Sequence, residues 1–290
     1  MNAETANHAM QPTLGIIAGG GGMPGRVATA ARAAGRAVFI VGLEGFAERA
    51  VLAPFPHAFA RIGAVGAIRQ LLNDHGCRDL VLIGSVRRPS FLDLRPDAEG
   101  ARLIARIGRA AFAGDDGLLG AIVRILEQDG FKVLAAQDVL QEALAPTGLL
   151  TTTEPDAQAV ADITRGVAVA RALGAADVGQ GCVVQQGLVL AVEAVEGTDA
   201  MIARCAPLAR PGPGGVLVKL AKPGQERRAD LPTIGPSTVQ AAHAAGLRGI
   251  AFEAGGTLIA DRDATAALAD KTGLFLLGID PVTYTSGERP

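Results

Sequence analysis

Residues 14–41 read LGIIAGGGGMPGRVATAARAAGRAVFIV, and this stretch decides the class of the fold. A short apolar run at 14–18 ends in four glycines, Gly19 to Gly22. Pro24 suits the first position of a helix, because its missing N–H would be unpaired there anyway. Residues 26–34 continue as a helix stopped by Gly35, and 37–41 form a second apolar run. Strand, glycine turn, helix and strand in that order open a parallel α/β sheet. Gly20, Gly22 and Gly25 match G-x-G-x-x-G, and Glu44 stands where a ribose-binding acid follows a second strand. A helix start preceded by glycines offers backbone N–H groups to an anion, so Gly20, Gly21 and Gly22 are candidate phosphate contacts. The bland alternative is a glycine turn that only lets strand and helix pack closely.

The pattern extends outward from there. Residues 65–75 read as an amphipathic helix ended by Gly76, and 79–84 (DLVLIG) as a buried strand of parallel type. The loop after it, Ser85 to Phe91, carries Arg87 and Arg88, which are placed to clamp a phosphate at the carboxyl end of the sheet. Residues 101–112 are helical. Asp115 and Asp116 stand at the N-cap of a further helix, 118–128, and 131–136 is strand-like. The Pro, Gly and Thr of residues 145–153 read as a linker. The expected organisation is an extension at 1–12, a Rossmann-like parallel-sheet domain at 13–147 and a second, mixed α/β domain at 148–290.

In the second half, a helix from 153–155 to about 173 precedes a hairpin, 182–185 and 188–194, turned at Gln186-Gly187. Strands follow at 216–220, 249–252, 257–260 and 274–278, with helices at 236–245 and 263–271. Between residues 181 and 235 acids and lysines gather at the ends of apolar runs. Glu193, Glu196 and Asp199 close one run, Lys219 and Lys222 punctuate another, and Asp230 follows a polar loop. Glu193 and Glu196, three apart, face one site only if the strand ends between them. Thr198 or Asp199 is expected to cap a short helix. Acids able to hold a divalent cation, beside lysines able to hold phosphate, suit phosphoryl-type chemistry.

Composition narrows the classes. A formal net charge of −2 gives no global attraction for nucleic acid or an anionic bilayer, and there is no Trp for stacking on bases. The three cysteines, Cys77, Cys182 and Cys205, form no CxxC pair and no even framework, which points to a reduced, cytoplasmic setting. The four histidines are scattered, without HxxxH or HExxH spacing. The first residues lack the pattern of a signal peptide, and no apolar run approaches the roughly 20 residues that span a bilayer.

GIIAGGGGMPG (15–25), GSVRRPSF (84–91), GDDGLL (114–119), DVGQGCVVQQGLVLAVEAVEGTDAMI (177–202), KLAKPGQERRADLPTIG (219–235) and LFLLGID (274–280) recur together in one order. On these motifs the chain resembles the LpxI-type UDP-2,3-diacylglucosamine pyrophosphatases of lipid A biosynthesis, from residue 14 to about 281. The resemblance implies a divalent-metal-dependent hydrolase, most simply with Mg²⁺, that releases lipid X and UMP. It also implies substrate held between the two domains, and a turnover role for the aspartate of DLPTIG, here Asp230. The family commonly has Asn-Val-Ser-Arg-Pro where this chain has Ser85-Val86-Arg87-Arg88-Pro89, so only Arg88 and Pro89 carry over. The expected site is then Asp230 as catalytic residue and metal ligand, with Glu193 and Asp199 as further metal ligands. Gly20, Gly21, Gly22, Arg88, Thr198, Lys219, Lys222 and Thr233 contact substrate. The same reading allows peripheral contact with the inner membrane and a homodimer. Two other readings compete: an NAD(P)-dependent oxidoreductase using the glycine loop, which lacks a His or Tyr-Lys constellation for hydride chemistry, and a non-catalytic nucleotide-sugar-binding module.

Overall fold

The structure, a computed structural model, describes residues 11–87, 94–108 and 114–284, the side chains of 114–116 excepted. The chain divides into two compact units, residues 1–113 with 117–140 and residues 114–116 with 141–290.

Unit 1 is built on a parallel five-stranded sheet in the order β3-β2-β1-β4-β5. Its strands are β1 (Thr13–Ala18), β2 (Val38–Leu43), β3 (His57–Ala60), β4 (Cys77–Ile83) and β5 (Lys132–Val133). The helices are α1 (Met23–Ala33), α2 (Arg49–Leu52), α3 (Val65–Asp74), α4 (Ala98–Ile107), α5 (Gly114–Gln128) and α6 (Ala136–Val139). Leu14, Ile16, Ile40, Val41, Leu80 and Val81 are almost wholly removed from water, as strands covered on both faces require. Asp97 caps two helices at once. Its carboxylate accepts from Gly100 N (2.7 Å) at the start of α4 and from Gly66 N (2.9 Å) at the start of α3. Burial alone would raise its pKa, but these backbone donors outweigh that and hold the carboxyl below its usual range.

Unit 2 carries a six-stranded sheet in the order β6-β13-β11-β9-β7-β8 and a separate parallel pair, β10-β12. The strands are β6 (Gly148–Leu149), β7 (Gly181–Gln185), β8 (Leu188–Val192), β9 (Val216–Lys219), β10 (Thr233–Ile234), β11 (Gly249–Glu253), β12 (Leu258–Ile259) and β13 (Phe275–Ile279). β9, β11 and β13 run parallel, while β6, β7 and β8 pair antiparallel at the two edges. Helix α7 (Ala157–Ala175) covers one face, packing Ile163, Val167 and Ala170 on Cys182, Val184, Val216 and Val218. Helices α8 (Thr198–Ala203), α9 (Pro236–Ala244) and α10 (Arg262–Thr272) cover the other, on Val183, Leu217, Ile250 and Leu276. The strict alternation 182/184 against 183, and 216/218 against 217, is the period-2 rule of a strand buried on both sides.

The structure departs from the sequence reading at several points. Strand β3 was not anticipated, and residues 131–136 give only a two-residue strand before α6. The presumed linker contributes β6, whose Leu149 pairs with Leu277. Thr151 accepts from Leu276 N through Oγ1 (3.0 Å), so a threonine of that segment serves the sheet. Pairings this short bury too few side chains to leave a pattern in sequence. Helix α7 starts at Ala157 rather than 153–155, because Asp156 is its N-cap and accepts from Ala159 N at 2.8 Å. Gly197, not Thr198 or Asp199, is the N-cap of α8. The Gln186-Gly187 turn is as expected, with both residues at positive φ (54° and 78°), the signature of a type I′ hairpin.

Candidate functional site

In unit 1 the glycine loop follows β1, where β2 and β4 diverge on either side of it, the position at which doubly wound sheets bind ligands. Its backbone is largely committed. Gly20 N donates to Ser85 O (2.8 Å) and Ser85 N to Gly20 O (3.0 Å), so the loops after β1 and β4 are zipped together. A Cβ at Gly19 would lie 2.7 Å from the carbonyl carbon and oxygen of Gly84, which makes close backbone approach the requirement that glycine meets there. Gly21 N donates to Glu48 Oε1 at 3.1 Å. Of the three glycines expected to hold phosphate, two therefore spend their N–H groups inside the unit, one on a carboxylate. Gly22 is the N-cap of α1. Arg88 lies outside the described residues.

In unit 2 the carboxyl ends of β9, β11 and β13 carry the polar groups. Lys219, the last residue of β9, is almost fully buried and sits 3.5 Å from Glu193 Oε2, also buried. Thr198 Oγ1 donates to Glu193 Oε1 (2.8 Å) and accepts from Lys219 Nζ. Strand β8 stops at Val192, which frees Glu193 to turn inward, while Glu196 is exposed and bound by Arg204 (2.7 Å). The Glu196 carboxyl is held below its usual range by its own backbone N–H and by that guanidinium.

Lys222 faces the opposite layer. Its Nζ donates to Asp177 Oδ1 (2.6 Å) just beyond α7, whereas Lys219 meets α8. The two lysines thus do not form one pair of cations. Lys222-Pro223-Gly224-Gln225 is a type II turn, with Pro at its second position and Gly224 at φ 80°. Gln225 N donates to Lys222 O (3.2 Å), and Gln225 Oε1 accepts from Lys222 N (3.0 Å). The remaining end of that buried amide donates to Asp230 Oδ2 at 2.5 Å. The turn therefore aims Gln225, and Gln225 aims Asp230.

Beside this turn a cleft of about 290 Å³ opens at the carboxyl ends of β9, β11 and β13. Arg171 from α7, Lys222, Gln225, Arg227, Glu253 and Asp280 line it. Glu253, which ends β11, accepts from Ala221 N (3.0 Å) and from Arg227 (2.9 Å). The sequence reading left out Gln225, Arg171, Glu253 and Asp280. The K-P-G-Q turn signal could have found the first, and the position directly after an apolar strand the last two.

Among the described residues no group of three or more His, Cys, Asp or Glu side chains is placed to hold a metal. Glu193, Asp199 and Asp230 are accordingly not gathered as a three-acid set: Glu193 is engaged by a lysine, and Asp199 is exposed in the first turn of α8. Thr233 is exposed in β10. All three cysteines are free and buried. Burial pushes the thiol of Cys182 up to about 12 and that of Cys77 up to about 11, so neither is a nucleophile or a thiolate ligand at neutral pH. No helix among the described residues is long and apolar enough to cross a membrane.

Comparison with known proteins matches both units. Residues 13–143 match the family model described as the LpxI N-terminal domain, and residues 146–277 the one described as the LpxI C-terminal domain. A relative from Caulobacter vibrioides, named UDP-2,3-diacylglucosamine pyrophosphatase LpxI, is 45% identical over 274 residues, covering 92% of this chain and 98% of its own.

Proposed function

The chain belongs to the LpxI family, and from that premise we propose that it is an enzyme hydrolysing the diphosphate of UDP-2,3-diacylglucosamine to 2,3-diacylglucosamine 1-phosphate and UMP. The observation that carries the reading is the match along nearly the whole chain to a relative named for this activity. The geometry of unit 2 supports it. Asp230 stands half-buried with one carboxylate oxygen fixed by Gln225, beside a cleft lined by Arg171, Lys222 and Arg227 together with Glu253 and Asp280. Diphosphate hydrolysis needs donors that neutralise charge on the non-bridging oxygens and a group that orients water. Arg171, which makes no ion pair among the described residues, serves the first need and Asp230 the second.

A divalent cation, Mg²⁺ in the first instance, belongs to this reading as well. Mg²⁺ is commonly bound by one or two carboxylates together with substrate phosphates and water, so a lone oriented aspartate suits it without a three-acid cage. Asp230 would hold it through the oxygen that Gln225 does not take. When bound, the ion would supply Lewis-acid neutralisation of the diphosphate. Glu193 has a different part, holding Lys219 and Thr198 in place at the end of β9. The protein would act in the cytoplasm on a substrate whose acyl chains bring it against the inner leaflet, without a spanning helix.

The test is UMP release from UDP-2,3-diacylglucosamine with Mg²⁺ and with EDTA. Wild-type protein releases UMP only with the metal; release in EDTA would remove the metal from the reading. Asp230→Ala should cut turnover by roughly 10²–10⁴-fold while substrate still binds, the range of a positioned acid or base. Wild-type turnover in that variant would remove Asp230 from the chemistry.

A further inference from the structure

Helix α7 closes in a Schellman motif whose left-handed position is filled by an aspartate. Val178 N donates to Leu173 O (3.0 Å) and Asp177 N to Gly174 O (3.0 Å), with Asp177 at φ 52°. Glycine is the default there, because it alone takes positive φ without a Cβ penalty. A residue with a side chain held in this region is strained, and such strain concentrates at functional sites. Gln186, also at positive φ, has its hairpin turn to account for it, and Asp261 caps α10 by accepting from Ala264 N (3.3 Å). The carboxylate of Asp177 instead reaches across 45 residues of chain to Lys222 Nζ, at 2.6 Å.

What that carboxylate holds is the turn after β9. The side chain of Lys222 is largely buried. Gly174, three residues before Asp177, packs on the same turn: a Cβ there would lie 3.0 Å from Pro223 Cδ and 3.3 Å from Lys222 Cα. The end of α7 thus fixes one side of the Lys222–Gln225 turn by contact and by charge. From its other side the turn holds Gln225, whose side chain accepts from Lys222 N (3.0 Å) and donates to Asp230 Oδ2 (2.5 Å). Polar contacts run without a break from Asp177 through Lys222 and Gln225 to Asp230. Stability alone favours glycine at 177. It would relieve the strain, whereas an ion pair whose acid is 26% exposed contributes little.

We propose that Asp177 is a positioning residue for the reaction, fixing the Lys222–Gln225 turn so that Gln225 holds Asp230 in one orientation. This role rests on the reading of Asp230 as the group that orients water, and extends the site back to the end of α7. Asp177 acts through the turn and not on substrate, so its loss is felt in turnover and not in binding.

The experiment measures UMP release from UDP-2,3-diacylglucosamine by the full chain. Asp177→Gly should lower kcat by roughly 10–100-fold, the usual loss when a residue that orients a catalytic group is removed, with KM little changed. A raised KM at unchanged kcat would overturn the proposal. Asp177→Asn tolerates the same backbone and removes only the charge, so it should lose as much. Both variants should keep a urea midpoint close to that of wild type; a midpoint falling in step with kcat would reduce Asp177 to a structural part. In a Gln225→Leu background Asp177→Gly should cost nothing further, and losses that multiply would break the relay. NMR of the Gln225 side-chain amide, assigned by its absence in Gln225→Leu, gives a readout without turnover. Its protons should exchange slowly in wild type and rapidly in Asp177→Gly, and equal exchange in both would overturn the role. Absence of UMP release by wild-type protein would remove the hydrolase reading, while the amide signals still decide whether Asp177 holds the turn.

Discussion

Both units present the carboxyl ends of parallel strands, and they treat them in opposite ways. In unit 1 the loops after β1 and β4 bond to each other through Gly20 and Ser85, and Glu48 takes the N–H of Gly21. In unit 2 the ends of β9, β11 and β13 leave a cleft lined by Arg171 and Asp280, which make no ion pair among the described residues. The unit with the stronger sequence motif for phosphate thus has the more occupied backbone. A glycine pattern guarantees conformational freedom and close approach, but an anion needs N–H groups that nothing else has claimed. The cleft, by contrast, is made of side chains from α7, the turn after β9, the last residue of β11 and the residues just beyond β13.

The contrast can be broken from the unit 2 side by attacking its buried charge. Lys219→Met leaves Glu193 buried without its cation, and removing one partner of such a pair typically costs about 3–5 kcal/mol. Urea denaturation should show that loss, and the Glu193→Leu, Lys219→Met double variant should recover most of it. A single variant as stable as wild type would mean the ion pair contributes little.

A smaller effect is expected from Gln225→Leu. It removes the donor that holds Asp230 and leaves the turn sequence intact, so activity should fall by roughly 10–100-fold, the usual loss when a supporting residue of a site is removed. Stability measured by thermal unfolding should change far less than activity; equal activity would show that Asp230 is oriented by something else.

The smallest effect sharpens the comparison from the unit 1 side. Glu48→Ala is a surface change, within about 0.5 kcal/mol in stability. It releases the N–H of Gly21, so sulfate or phosphate should raise the melting temperature of this variant more than that of wild type. An identical response in both would mean the carboxylate does not hold anions away from the loop.

Much of the fold was legible. The order strand, glycine turn, helix, strand at 14–41 became β1, α1 and β2, and the DLVLIG run became β4. Long apolar runs bounded by glycine carry their own signal. The misses were β3, β6 and β10, which hold four residues or fewer and gain their stability from neighbours rather than from pattern, and β5 came out shorter than the run read at 131–136. Of the expected site residues, Asp230 is joined to the unit 2 cleft through Gln225. Glu193 and Lys219, read as separate metal and phosphate contacts, turned out to hold each other.

What the sequence determined by itself was the class of each unit, the glycine loop and the hairpin turned at Gln186-Gly187. All of these follow from local backbone preference and from the period of buried side chains. What only tertiary structure decided was which charges remain for a ligand. Lys219 and Lys222 are three residues apart, yet β9 ends between them, and they turn to opposite layers toward Thr198 and Asp177. Arg171 stands about fifty positions from the turn it shares a cleft with. Pairing of charges is set by distance in space and by removal from water. Spacing along the chain does not encode either.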